Sequence, residues 1–275
     1  MKVIDFHTHA FPDFLAERAV AAIVDGAVLQ QPHLDGTIAG LLRSMDRAGV
    51  EISVVASIAT AEKQVPSILK WSREIASDRI VPFPSVHPFS PDAIDQVRHI
   101  ADAGLKGIKL HPLYQDFQPL DERLFPVYQA IADAGLILLF HSGDDLGFIG
   151  DHRCMPHTML EIQNRVPSLK MVLAHLGGFW QAEDFARSGI GSPAYVEVSL
   201  SIPARPGDQS FDRIIRGHTG RVMFGTDSPW SDQKTEIEKL TRVIDDRQLL
   251  EAVLSTNAAR LLGINSPRMD TDKHG

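Results

Sequence analysis

The sequence contains few of the features that mark several large classes of protein. Cys154 is the only cysteine among 275 residues, which excludes an internal disulfide and a metal site built from thiolates alone. Apolar runs such as residues 136–140 are far shorter than the roughly 20 residues that a membrane span needs. The net charge is −8 without a basic run, which argues against a nucleic-acid partner, because phosphates call for a clustered basic face.

The remaining composition is that of an ordinary soluble protein, with 44% hydrophobic and 23% charged residues. The N-terminus has none of the three parts of a secretory signal, so a cytoplasmic location is expected. The length suits one large domain over residues 1–275, and no low-complexity linker interrupts it. Composition alone does not choose between an enzyme and a binding protein.

Strand-like apolar runs alternate with helical patterns along most of the chain. The runs are near-continuous, as expected for parallel strands buried on both faces. Eight strands are the number that closes a (β/α)₈ barrel, so an α/β barrel is predicted. The predicted strands are residues 2–7, 51–57, 80–86, 107–110, 136–141, 170–175, 194–199 and 221–226.

Local signals mark where several helices begin and end. Gly49, Gly104 and Gly135 each follow a helical pattern and precede a strand, and glycine suits the left-handed position that closes a helix. Ser90 followed by Pro91 predicts an N-cap with proline in the first helical position.

The segments outside the strand–helix alternation lead to three further expectations. Residues 247–263 predict an extra C-terminal helix packed on the outside of the barrel, and the polar residues 265–275 are expected to fray. The longer connections, residues 10–35 and 142–156, are expected at the carboxyl-terminal mouth, where barrel active sites are built.

Metal-competent side chains stand where apolar strands end. His7 and His9 lie two residues apart on the first strand, so both imidazoles face the same way. His141, His175 and Asp227 each directly follow another predicted strand. A single one of these residues is explained by a hydrogen-bonded histidine or a helix cap, whereas five at one mouth favour a metal site. Three histidines and an aspartate suit Zn²⁺ or another divalent ion such as Mn²⁺, Fe²⁺ or Co²⁺.

Five motifs in this order resemble the amidohydrolase superfamily, most closely the branch that contains aminocarboxymuconate-semialdehyde decarboxylase. They are residues 3–9 (VIDFHTH), 107–112 (GIKLHP), 140–143 (FHSG), 174–178 (AHLGG) and 224–230 (FGTDSPW). The resemblance implies one divalent metal ion, most simply Zn²⁺, ligated by His7, His9, His141 and Asp227. It also implies that His175 is a nearby acid/base or a further ligand, and that Asp227 accepts a proton from the attacking water.

The reaction stays open between several hypotheses. The first is a hydrolase that uses a metal-activated water to cleave an amide, lactone or ester of a small carboxylated metabolite. The alternative is a non-oxidative decarboxylase that uses the same site. A binding protein that has kept the fold is a third hypothesis, but every expected metal position is filled. A barrel nuclease is weakened by the negative charge and by Lys109 where an acidic ligand is needed.

Four residues are candidates for substrate binding: Lys109, His111, Arg153 and Trp230. Lys109 can be carboxylated to bridge two metals, can bind a substrate carboxylate, or can be a paired lysine of the barrel interior. His111 either contacts substrate or orders the loop that follows it. Arg153 and Arg205 can grip a carboxylate or remain solvated loop charges. Dimers are common among oligomers generally, and this prior is the only ground for expecting a homo-oligomer.

Overall fold

Eight parallel strands surround the centre of the molecule in this computed structural model, which describes residues 2–26 and 31–264. They are β1 (Val3–Thr8), β2 (Val50–Ala56), β3 (Ile80–Phe83), β4 (Gly107–Leu110), β5 (Ile137–Phe140), β6 (Lys170–Leu173), β7 (Tyr195–Glu197) and β8 (Val222–Met223). Each lies within one of the predicted runs or starts within one residue of it. The later strands are shorter than predicted because their last residues leave the sheet at the barrel mouth.

The barrel closes through two seams between a three-stranded and a five-stranded sheet. Neighbours pair in the order β1-β2-β3 and β4-β5-β6-β7-β8. At one seam the Phe6 amide of β1 donates to the Phe224 carbonyl beyond β8, at 2.9 Å. At the other, the Lys109 amide of β4 donates to the Pro84 carbonyl beyond β3, at 2.8 Å. These bonds join the two sheets, and the predicted (β/α)₈ fold is confirmed.

Helices connect the strands and cover their outer faces. They are α1 (Asp13–Gly26), α2 (Ile38–Ala48), α3 (Val65–Ile75), α4 (Ala93–Asp102), α5 (Phe125–Asp133), α6 (Pro156–Arg165), α7 (Ala182–Ser188), α8 (Gln209–Gly217), α9 (Gln233–Val243), α10 (Arg247–Glu251) and α11 (Asn257–Leu262). Gly49, Gly104 and Gly135 have φ of 70°, 72° and 67° as predicted. Helix α4 begins at Ala93 rather than directly after Ser90, because the two intervening residues form a turn.

Helix α1 lies within the connection of residues 10–35, for which no helix was predicted. The long loop between β5 and α6 agrees with the prediction for residues 142–156. Among the described residues, none of the helices has the length and apolarity to cross a membrane.

The C-terminal helical segment differs from the prediction in its packing. A π-helical turn, Ala252–Thr256, joins α10 to α11. Ala258, Ala259 and Leu262 of α11 pack with the inward-facing side chains of the barrel, including Ile4 and Met223. The segment therefore covers the amino-terminal end of the barrel instead of lying only on its outside. The expectation for residues 265–275 falls outside the described part of the chain.

Candidate metal centre

The predicted metal-site residues lie together at the carboxyl-terminal mouth of the barrel. Their side chains line one cavity of about 860 Å³. The polar residues at its inner end are His7, His9, Lys109, His111, His141, Asp145, His175 and Asp227. Side chains from β1 and β4 and from the segments after β5, β6 and β8 thus converge, although they are far apart in sequence.

His7, His9 and Asp227 form a tight triad. His9 Nε2 lies 3.1 Å from His7 Nε2 and 3.0 Å from Asp227 Oδ1, and His7 Nε2 lies 3.4 Å from that oxygen. The other ring nitrogens are engaged, because His7 Nδ1 donates to Glu197 Oε1 at 2.8 Å and His9 Nδ1 donates to the Ala56 carbonyl at 2.8 Å. These contacts place a proton on each Nδ1, so Nε2 of each ring is the atom that is turned toward the Asp227 carboxylate.

The charge states of these groups suit a cation. Burial lowers the pKa of His7 to about 4, so its ring is neutral near pH 7. Burial opposes ionisation of Asp227, but His7 and His9 outweigh it and hold the pKa of this carboxyl well below its usual range. The triad therefore offers two imidazole nitrogens and one carboxylate oxygen, which is the ligand chemistry of a borderline divalent ion.

Glu197, like Asp145, belongs to the site and was missed by the sequence analysis. Besides binding His7, it accepts hydrogen bonds from the amides of His175 and Ser199, at 3.0 and 2.7 Å. Burial opposes its ionisation, but His7 and these donors lower its pKa to about 2. The absence of a side chain at Gly225 is required here, because a Cβ would collide with this carboxylate. The available signal was a single acidic residue in the apolar run of residues 194–199.

His175 and His141 lie beside the triad. The His175 ring is 5.4 Å from the His7 ring, and its Nδ1 lies 2.9 Å from Ser199 Oγ. His141 Nε2 donates to the Asp144 carbonyl at 3.1 Å. Donor atoms of His141, His111 and Asp145 all lie within 4.8 Å of one another. The structure thus groups His141 with these neighbours, and its place among the ligands of the triad stays a prediction.

Lys109 and His111 occupy the inner cavity through β4 and its C-terminal end. Lys109 Nζ donates to His7 Nε2 at 3.2 Å, next to the triad, and burial lowers the pKa of the lysine to about 8. The His111 ring stacks on His141 with centroids 4.0 Å apart. Gln115 fixes the loop, since it accepts from the His111 amide at 2.9 Å and donates to the carbonyls of two neighbouring strand ends. His111 therefore both lines the cavity and belongs to an ordered loop.

The two remaining substrate-binding candidates, Trp230 and Arg153, lie in different places. Trp230 lines the cavity and is 9% exposed. Arg153 does not lie among the cavity residues. Its guanidinium donates to Asp151 at 2.6 Å and to Asp116 at 3.0 Å. Loop carboxylates thus hold the Arg153 guanidinium outside the cavity, and its substrate-binding role stays a prediction.

The backbone is strained where three strands open into the cavity. His175 and Asp227 have φ of 60°, and Leu200 has φ of 54°. This left-handed region is costly for residues with a side chain, by roughly 1 kcal/mol or more each, and such strain clusters at functional sites. Leu200 and Asp227 also line the cavity.

Comparison with known proteins agrees with this geometry. The sequence matches the family described as Amidohydrolase over residues 4–264. It is 26% identical over 240 residues to a dihydroorotase from Marinomonas sp. (strain MWYL1), covering 72% of this chain and 67% of that protein. An uncharacterized TIM-barrel protein from Bordetella bronchiseptica has a similar structure, with a TM-score of 0.79, 20% identity, and coverage of 96% of this chain and 99% of that one.

A 5-carboxyvanillate decarboxylase mutant from Novosphingobium aromaticivorans, solved with bound manganese, is also similar. Its TM-score is 0.69, its identity is 15%, and the match covers 96% of this chain and 97% of that one. Together, the family match over nearly the whole sequence, the barrel and the cluster of histidines and aspartate show that this chain is an enzyme of the metal-dependent amidohydrolase family.

Proposed function

We propose that the chain is a hydrolase that cleaves an amide, lactone or ester of a small carboxylated metabolite with the help of one divalent metal ion. The observation that carries the proposal is the convergence of acceptors at His7, His9 and Asp227. With the second ring nitrogen of each histidine engaged, these lone pairs need a proton or a cation between them. Lys109 Nζ meets this need in part, because it donates to His7 Nε2 at 3.2 Å.

The spacing of the triad supports a small divalent ion. Bonds of 2.0–2.1 Å at tetrahedral angles separate neighbouring donor atoms by about 3.3 Å. The three donors of the triad lie 3.0 to 3.4 Å apart. Zn²⁺ is the first candidate, with Mn²⁺, Fe²⁺ and Co²⁺ as others. His141 is the proposed fourth protein ligand, after a change of its ring orientation.

The chemistry follows from what these side chains hold. A bound divalent ion lowers the pKa of a water ligand and polarises a carbonyl. Asp227 orients the attacking water and accepts its proton. His175, held at Nδ1 by Ser199, keeps Nε2 to donate a proton to the leaving group. Glu197 keeps the proton of His7 on Nδ1, so that Nε2 stays a ligand.

Two cations are candidates for binding the substrate carboxylate. Lys109 lies within the inner cavity, and Arg18 of α1 lies at its outer rim. We propose Arg18 instead of Arg153 for this role, because Arg18 is a lining residue of the cavity and Arg153 is not. A substrate that crosses the cavity can place its carboxylate at either of the two groups.

Decarboxylation is the second candidate reaction. The 5-carboxyvanillate decarboxylase described above shares the fold, and a barrel mouth with a metal and an acid/base histidine suits loss of CO₂ as well as hydrolysis. The two reactions differ in their products, since hydrolysis consumes water and decarboxylation releases CO₂.

The test begins with the metal content of the purified protein after dialysis, measured by elemental analysis. About one divalent ion per chain is expected, and its loss in a His7→Ala/His9→Ala variant. A matched control is His99→Ala/His157→Ala, since both residues are exposed and lie outside the cavity. The loaded enzyme is then assayed with amides, lactones and esters and, for CO₂ release, with aromatic acids. A protein that stays metal-free after incubation with Zn²⁺ and Mn²⁺ contradicts the proposal.

A further inference from the structure

The cavity continues outward beyond the metal-competent triad. Its outer part runs between α1 and α3, and we call it the α1–α3 slot. The slot is lined by Leu15, Ala19, Ala22 and Ile23 from α1 and by Ile68 and Trp71 from α3. The whole cavity, at about 860 Å³, lies near the upper end of the roughly 300–1,000 Å³ that small-molecule sites occupy. A small polar metabolite at the triad leaves the slot unfilled.

Both walls of the slot present helical faces that are apolar without being buried. Leu15, Ala19 and Ile23 are four residues apart, so they share one face of α1. Ile68 and Trp71 are three residues apart on α3, and both stay partly exposed. The α1 side chains therefore form an apolar stripe and the α3 side chains form an apolar pair, and together they make one apolar patch.

The rim of the slot strengthens this interpretation. Phe14 is 89% exposed, the most exposed large apolar side chain among residues 2–26 and 31–264, and it lines the cavity mouth. Charged groups at the mouth, Arg18, Lys70 and Glu74, surround the apolar walls. An apolar centre with a polar rim is the arrangement of a site that takes a ligand with an apolar body.

We infer that the substrate carries an apolar group, an aromatic ring or a short acyl chain, which fills the α1–α3 slot while its reactive carbonyl lies at the triad. The inference rests on the proposed function for the reaction, but the binding of the apolar group is separate from it. The slot is continuous with the triad, so one molecule reaches both.

Binding is tested first with phenylalkanoic acids of increasing chain length, from phenylacetate to 5-phenylpentanoate. Tryptophan fluorescence reports binding, since Trp71 and Trp230 line the cavity. Burial of one methylene contributes about 0.8 kcal/mol, so the Kd should fall about fourfold for each one that enters the slot. The same trend should appear in the His7→Ala/His9→Ala variant, because the slot does not include those residues.

An Ile68→Gln variant should reduce the dependence of Kd on chain length by at least half. The matched control is Ile149→Gln, at a side chain that is 76% exposed and lies outside the cavity. A thermal unfolding curve for each variant verifies that it folds. A wild-type Kd that does not change with chain length overturns the inference.

Activity separates this inference from the proposed function. For p-nitrophenyl esters from acetate to hexanoate, kcat/KM should rise with chain length in the wild type and less so in Ile68→Gln. Chain-length-dependent binding without metal-dependent hydrolysis supports the slot and contradicts the proposed reaction. Hydrolysis without chain-length dependence supports the reaction and overturns the slot. Light scattering measures the oligomeric state of both proteins. A wild-type dimer that Ile68→Gln dissociates also overturns the inference, because a second copy of the chain then fills the slot.

Discussion

The two ends of the barrel bury side chains of opposite chemistry to nearly the same extent. At the amino-terminal end, Ile4, Met223 and Leu262 are at most 3% exposed. At the carboxyl-terminal end, His7 is 1% and Asp227 is 8% exposed. Ile4 and His7 are three positions apart on one strand, or about 10 Å. At the first end, burial of apolar side chains stabilises the fold. At the second end, burial of polar and charged side chains lowers the stability unless each of them has a hydrogen-bond or ion-pair partner.

Hydrogen bonds at the carboxyl-terminal end show how the cost of burial is met. Asp5 accepts from the amide and hydroxyl of Thr226 at 3.0 and 2.7 Å and from Gln233 at 2.8 Å. Burial still raises the pKa of Asp5 to about 7. Glu197 is paired in the same way with His7 and Ser199. This end therefore serves chemistry and the opposite end serves stability, so substitutions should separate the two.

The largest effect is expected for Asp227→Asn. This change keeps the shape of the side chain and removes the only negative charge of the triad. A loss of at least about 10³-fold in kcat/KM is expected, equivalent to about 4 kcal/mol, together with weaker metal binding. Steady-state kinetics and elemental analysis measure both. The control is Asp95→Asn, at an exposed carboxylate of α4. A near-normal kcat/KM for Asp227→Asn would contradict the catalytic role of the carboxyl-terminal end.

A substitution at the amino-terminal end should lower the stability and leave the activity nearly unchanged. Leu262→Ala removes a buried side chain from the interior cluster, so the free energy of unfolding should fall by about 3 kcal/mol. The kcat/KM of the folded fraction should stay within about twofold, because no cavity residue is touched. Urea denaturation measures the first quantity. Leu261→Ala, at a partly exposed neighbour, should cost clearly less, and equal losses would show that packing at this end is not specific.

Glu197→Gln should have an intermediate effect on metal binding. Glutamine keeps the size of the side chain but does not hold the proton of His7 on Nδ1 as a carboxylate does. Loss of such an indirect partner of a metal ligand typically weakens affinity by about 10- to 100-fold. Competition with a metal-binding dye measures the Kd. The absorption bands of Co²⁺-loaded protein should also shift, which a purely structural role does not predict. Unchanged affinity and spectrum would contradict the assignment.

The same variant gives a prediction on pH. The pKa of Glu197 is lowered from 4.5 to about 2 in the folded protein, so the folded state binds the proton less tightly than the unfolded state. Its stabilisation is present above about pH 4.5 and is lost as the pH falls toward 2. The stability advantage of metal-free wild type over Glu197→Gln should therefore shrink below pH 4.5. A stability advantage that grows below pH 4.5 would contradict a lowered pKa of Glu197 in the folded protein.

The strand-end histidines were predictable because a barrel brings the ends of all its strands to one mouth. His7, His9 and Asp227 needed only the strand positions and the residue types. Glu197 was missed because it lies inside an apolar run, where periodicity indicates a strand and does not report charge pairing across the barrel. The packing of α11 against the interior was missed for a similar reason, since a helical pattern shows which face is apolar but not which surface it covers.

Arg153 tests how far the substrate site extends from the carboxyl-terminal mouth of the barrel. Its side chain is 17% exposed, and its donors are paired with Asp151 and Asp116. Both carboxylate partners reach solvent, and such pairs contribute at most about 1 kcal/mol each, so Arg153→Ala should lower the free energy of unfolding by no more than about 2 kcal/mol. Because Arg153 lies outside the cavity, KM for an anionic substrate should change by less than about twofold. Arg18→Gln should raise KM more, since Arg18 lines the rim. A larger effect from Arg153 than from Arg18 would move the boundary of the site onto the loop of residues 142–156.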